Sequence, residues 1–88
     1  MKDAVVTLRA DNFDRDFSIP ITVRLKELYP RLLAALQNAS RTRFADWKGV
    51  ALESDDGVFA DLDATLADYG VCTGKYLYLV EEDWGDGI

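Results

Sequence analysis

Of the residue types that do chemistry, this 88-residue chain omits one altogether, since it has no histidine. A Ser-His-Asp or Cys-His centre is therefore impossible, as is any metal site that ligates through imidazole. The single cysteine, Cys72, excludes a Cys₄ zinc site and an intrachain disulfide. It follows Gly70-Val71 in a predicted turn with no base to activate it, and reads as a bystander thiol. The carboxylates are plentiful but poorly arranged for catalysis or metal binding. Asp61-x-Asp63 begins like a calcium loop, yet Leu66 and Cys72 stand where its glycine and glutamate belong. Asp55-Asp56 fall in a turn, and Glu81-Glu82 lack the apolar pocket that would set two pKa values apart. No catalytic group, metal or cofactor is expected, which leaves a binding module.

Charge narrows the partners. The formal net charge is −6, which argues against broad contact with nucleic acid phosphates or anionic lipid. It is uneven: residues 1–52 carry +3 and residues 53–88 carry −9. Two readings fit this split, a solvated acidic end that keeps the chain soluble and a field that steers a protein partner. Arg41, Arg43 and Lys48 form a small basic cluster, either solvated or facing an acidic partner. The chain is 49% hydrophobic, enough for one core. It has no apolar run approaching the roughly 18 residues of a membrane span. No apolar segment follows Lys2 as a secretory signal would require, so the expected address is cytoplasmic, without direct membrane insertion.

The elements that position these residues follow from periodicity. Ala4 to Ala10 predicts a strand with Val6 and Leu8 inward and Val5, Thr7 and Arg9 outward. Phe17, Ile19, Ile21, Val23 and Leu25 alternate with polar residues across 17–26, predicting a second strand. Pro20 assigns that strand to a sheet edge. Asp11-Asn12-Phe13-Asp14 links the two as a hairpin. Leu32, Leu33, Leu36 and Ala39 then fall at helical spacing, and Pro30 suits a first turn, so a helix is expected from Tyr29 or Pro30 to about Asn38. Trp47 to Leu52 reads as a third strand, with Trp47 at the rim of the core. Ser54-Asp55-Asp56-Gly57 reads as a hairpin turn, and Val58-Phe59 as a stub strand. Thr65 caps a single turn, Leu66 to Tyr69, closed by Gly70. Lys75 to Glu81 is the last strand, with Leu77 and Leu79 inward. The order β-β-α-β-β-β, one helix packed across a mixed sheet of four to five strands, is α+β and is that of the β-grasp fold.

Thr65-Leu66-Ala67-Asp68-Tyr69-Gly70-Val71, followed by Tyr76-Leu77-Tyr78-Leu79-Val80, resembles the corresponding turn and last strand of ubiquitin over about 20 residues. Lys26-Glu27-Leu28-Tyr29-Pro30 and the Leu66-x-Asp68-x-Gly70-Val71 segment resemble the ubiquitin-like accessory proteins of bacterial type VII secretion systems, the YukD/EsaB type. The resemblance implies a ubiquitin-like domain over residues 1–81, followed by a flexible acidic tail over 82–88. It also implies a non-enzymatic role, docking to the cytosolic parts of a secretion machine. Two other functions stay open: a conjugated or sulfur-carrying modifier, and an isolated cytosolic domain of a membrane transporter subunit. The modifier reading needs a Gly-Gly end, whereas this chain ends Gly85-Asp86-Gly87-Ile88.

The expected docking surface is the outward side of the last strand, Tyr76, Tyr78 and Val80, with Val5 and Thr7 of the first strand beside it. Aromatic residues dominate interface centres, although cross-strand aromatic pairs also serve simply to stabilise sheets. Trp84 is the sixth candidate, either an anchor for a partner pocket or a residue folded back on the sheet.

Overall fold

The computed structural model describes residues 2–84. Two antiparallel strands, β1 (Asp3–Ala10) and β2 (Phe13–Pro20), form the opening hairpin. Its turn is only Asp11-Asn12, with Asn12 at φ 57°, a left-handed conformation that asparagine tolerates better than most residues. The helix α1 (Leu25–Ala39) leads to β3 (Val50–Ser54), β4 (Gly57–Val58), a 3₁₀ turn (Ala67–Tyr69) and β5 (Tyr76–Glu81). The sheet order is β2-β1-β5-β3-β4, and β1 and β5 are its parallel pair. The last strand is thus the central one. Alternation makes it so: Leu77 and Leu79 turn to the helix side, beside Val6 and Leu8 of β1 and Val50 and Leu52 of β3, all buried.

The helix closes that side with Leu25, Leu28, Tyr29, Leu32 and Leu36. Each such side chain contributes about 1.5–3 kcal/mol when fully buried. Phe44, in the connection after the helix, is fully buried and meets Phe13 and Trp47 edge-on at 5.1 and 4.8 Å. The Gln37 amide donates to its carbonyl at 3.1 Å.

Several boundaries differ from expectation. The second strand lies at 13–20 rather than 17–26. The two-residue turn lets pairing begin at Phe13, and Pro20 sits opposite Asp3 with its nitrogen on the open edge. The last bond of the pairing runs from the Ile21 amide to the Lys2 carbonyl at 3.0 Å. Ile21 is still buried, but as the start of the crossing to the helix. The helix begins at Leu25, four residues before Tyr29, and Pro30 lies inside it. Proline there removes the bond that an amide at 30 would give to the Lys26 carbonyl and sets its ring against that carbonyl, so it does not have the first-turn place expected of it. The third strand starts at Val50 rather than Trp47.

The capped turn stands where the sequence puts it. The Asp68 amide donates to the Thr65 hydroxyl (3.1 Å), and the Asp68 carboxylate accepts from the Thr65 amide (2.9 Å). Gly70 closes it at φ 76°.

Packing continues past Glu81. The Glu82 amide donates to the Gly49 carbonyl at 3.1 Å, and Trp84 is half-buried against the core. The remainder of the expected tail, residues 85–88, and with it the Gly87-Ile88 ending on which the modifier reading turned, lies outside the described residues.

Candidate protein-binding face

One side of the sheet carries the helix, and the outward side is left to the alternate residues. On β1 these are Val5, Thr7 and Arg9, and on β5 they are Tyr76, Tyr78 and Val80. The register sets Thr7 beside Tyr76, Arg9 beside Tyr78, and Tyr78 beside Glu53 of β3. Tyr76 is 58% exposed, Val5 46% and Tyr78 43%. Thr7 and Val80 are half-buried, so they support the patch more than they present it.

Polar contacts hold this surface in place. The Arg9 guanidinium lies 4.8 Å from the centre of the Tyr76 ring and donates to Asp14 at 3.0 Å. The hydrogen bond and charge of Asp14 raise the guanidinium pKa further, so Arg9 stays cationic. The Thr7 hydroxyl donates to Asp16 at 2.6 Å. Behind Val5, its amide donates to the Thr73 hydroxyl at 3.2 Å and its carbonyl accepts from Gly74 at 2.9 Å.

The sixth candidate is elsewhere. Trp84 stacks on Tyr29, with ring centres 6.0 Å apart and planes 16° from parallel, and its indole N–H donates to the Val50 carbonyl at 3.0 Å. That places it against the helix rather than on the outward sheet side. The reason is chemical, since a tryptophan half-buried by an aromatic ring also needs an acceptor for its N–H. It is folded back, as one of its two readings expected, but with its ring on Tyr29 of the helix and only its N–H on the sheet, at Val50.

Two residues beyond the six candidates join this face, Arg9 and Val58. Arg9 shares the alternation of Val5 and Thr7, which was the available signal. Val58, 38% exposed, pairs with Glu53 across the short hairpin. No local pattern in a two-residue strand could have placed it.

The residues weighed for other chemistry have structural partners or none. Asp61 accepts from the Asp63 amide (3.1 Å), and Asp63 faces Lys26 at 3.4 Å. Among the described residues no group of three or more His, Cys, Asp or Glu is placed to hold a metal ion. Cys72 is exposed.

The family profile described as WXG100 protein secretion system (Wss), protein YukD, matches residues 4–79. The chain belongs to the YukD family. It is therefore a ubiquitin-like domain associated with type VII secretion. No curated protein sequence matches it. Among solved structures, this YukD-family chain is similar to the ubiquitin-like domain of the Mycobacterium tuberculosis type VII secretion system protein EccD1. The TM-score is 0.75 and the identity 22%, over 91% of this chain and 99% of that one. The EccD5 ubiquitin-like domain from Mycobacterium xenopi matches with TM-score 0.75 and 19% identity, over 97% and 100%. A ubiquitin-like domain from Arabidopsis thaliana follows with TM-score 0.65 and 15% identity, over 92% and 79%. At these identities the structural likenesses establish the fold, and the family rests on the profile.

Proposed function

We propose that this YukD-family domain is a non-enzymatic docking module that works in the cytoplasm and binds cytosolic parts of a type VII secretion machine through its outward sheet face. The observation that carries the reading is the pair Tyr76 and Tyr78, 58% and 43% exposed on the central strand, with Val5 on the adjacent β1 and Val58 on β4, beyond β3. Large exposed apolar residues gathered on one face mark interaction surfaces. The absence of histidine from the sequence and the exposed, unassisted Cys72 support a role without catalysis. Among the described residues no helix is long and apolar enough to cross a membrane. A second reading, the ubiquitin-like domain of a larger membrane subunit, is favoured by the two EccD domains among the similar structures.

The test is a binding titration of the purified domain against the recombinant cytosolic regions of the machine's ATPase and membrane subunits. Tyr76→Ser combined with Tyr78→Ser removes two aromatic anchors, each worth roughly 2 kcal/mol or more when central to an interface. Binding is expected to weaken at least thirtyfold while the melting curve stays cooperative. A folded double variant that binds as tightly as the parent overturns the assignment of the face. Both readings predict this outcome, and they separate on whether the natural reading frame continues beyond Ile88 into membrane spans.

A further inference from the structure

The sheet has two outer edges, and both are guarded. β2 carries exposed Asp14, Arg15 and Asp16 and ends on Pro20, features that blunt an edge against strand addition. β4 is only two residues long. A third stretch of edge lies within the sheet. The parallel ladder between β1 and β5 ends at Arg9–Tyr78, because β1 turns back at Asp11-Asn12, whereas β5 runs on to Glu81. On its other side β5 stays paired with β3 as far as Val50–Glu81.

The bonding phase fixes which backbone groups face where. Leu52 directs its amide to the Tyr29 hydroxyl (3.2 Å) and accepts from the Phe59 amide (2.9 Å). Leu52–Leu79 and Val50–Glu81 are therefore the pairs without mutual hydrogen bonds, and the Glu82 to Gly49 bond continues the same phase. The Leu79 carbonyl, the Glu81 amide and the Glu81 carbonyl consequently point away from β3, towards the space that β1 has left. Among the described residues no strand meets them.

That space is a groove of about 1010 Å³. Phe13, Trp47, Leu79 and Val80 give it apolar walls. Its charged lining is Asp11, Asp14, Glu53 and Glu81 against Arg9 and Arg43. Asp14 already holds Arg9, so three acids remain against one cation.

We propose that this groove takes a short extended segment of a partner protein, basic in character, as an added strand along the open side of β5. Acceptor, donor and acceptor at Leu79 and Glu81 repeat at strand spacing, which only an extended backbone can match. The apolar walls and acidic rim suit its alternating side chains. The groove borders the docking face, sharing Tyr78 and Val80 with it, but the inference stands on backbone groups at 79–81 and is tested through Asp11 and Glu81.

The test is an NMR titration of the ¹⁵N-labelled full chain with Ac-Arg-Val-Arg-Val-Arg-NH₂. Two variants of the peptide have equal charge, one N-methylated at both valines and one at the central arginine. The Glu81 amide is expected to shift, and its hydrogen exchange to slow at least tenfold. One methylated peptide should bind at least tenfold more weakly and the other should not, because a strand turns alternate amides to opposite sides. Asp11→Lys with Glu81→Lys should weaken binding tenfold. Asp61→Lys with Asp63→Lys, the same change in net charge, should leave it unaltered. Equal binding of both methylated peptides overturns the proposal, as does an unmoved Glu81 amide. Protection of Glu81 without peptide, with a dimer seen by light scattering, also overturns it and gives the edge to a second copy of the chain.

Discussion

Removing one oxygen atom tests how this small core is held. The Tyr29 hydroxyl donates to the Phe59 carbonyl at 2.7 Å and accepts from the Leu52 amide at 3.2 Å. It joins the helix to β3 and to the segment after β4. Tyr29 is 1% exposed, so Tyr29→Phe leaves a buried carbonyl and a buried amide without this partner. Each unsatisfied group costs about 1–3 kcal/mol, partly relieved by local rearrangement, and a net loss of about 2–3 kcal/mol is expected at pH 7. For a domain of this size that lowers the melting temperature by roughly 10–20 °C. The effect also has a pH signature. Burial pushes the Tyr29 pKa from 10.0 up to about 12, against the opposing hydrogen bond from the Leu52 amide. The unfolded phenol thus ionises first, and the stabilisation is complete below pH 10 and lost as pH rises towards 12. Over that window the wild type should lose about 1.4 kcal/mol per pH unit that the variant does not lose. Urea unfolding of both proteins at pH 7 and pH 11 measures both quantities. A variant within 0.5 kcal/mol of the parent at pH 7, or an advantage that does not shrink at pH 11, refutes the reasoning.

Gly49→Ala should be more damaging than an ordinary loop substitution. An added Cβ would meet the Glu82 carbonyl oxygen and the Trp84 ring, and calorimetry should show a loss of about 2 kcal/mol or more, with a red shift in tryptophan emission as Trp84 is displaced. Thr65→Ala removes one half of the reciprocal cap with Asp68 and should cost about 1 kcal/mol in chemical denaturation, whereas Thr65→Ser should cost little.

The parts of this fold that were legible in the sequence are those stabilised by near neighbours. β1 and β5 alternate strictly, and the Thr65–Asp68 cap spans three residues. The helix start was hidden because its signal is not local. Arg24 stands at the N-cap without a side-chain bond. The first free amides, of Leu25 and Lys26, donate instead to the carbonyls of Ala64 and Leu62, both at 2.9 Å. With no capping residue to read, Pro30 was the only punctuation in sight, and it pointed a turn too late. The alternation through Ile21, Val23 and Leu25 misled for a related reason. Burial of Ile21 and Leu25 serves the crossover and the helix, and apolar spacing of two cannot tell these from a strand. The outward alternation of β1 and β5 was readable, whereas the position of Trp84 was open between two readings, since its acceptor lies 34 residues away.

The sheet order has a consequence for how the domain comes into being. Its middle strand is the final one in sequence, and β1 waits for it across more than sixty residues. During synthesis the opening hairpin and the helix can emerge and fluctuate, but the seam between β1 and β3 stays vacant until residue 81 has cleared the ribosomal tunnel. Until then Leu8 and Leu52 lack their neighbours, and the nascent chain exposes sticky surface of the kind that chaperones recognise. Folding should therefore arrive in one late step, and a ribosome-stalled chain ending before Tyr76 should remain protease-sensitive along its whole length.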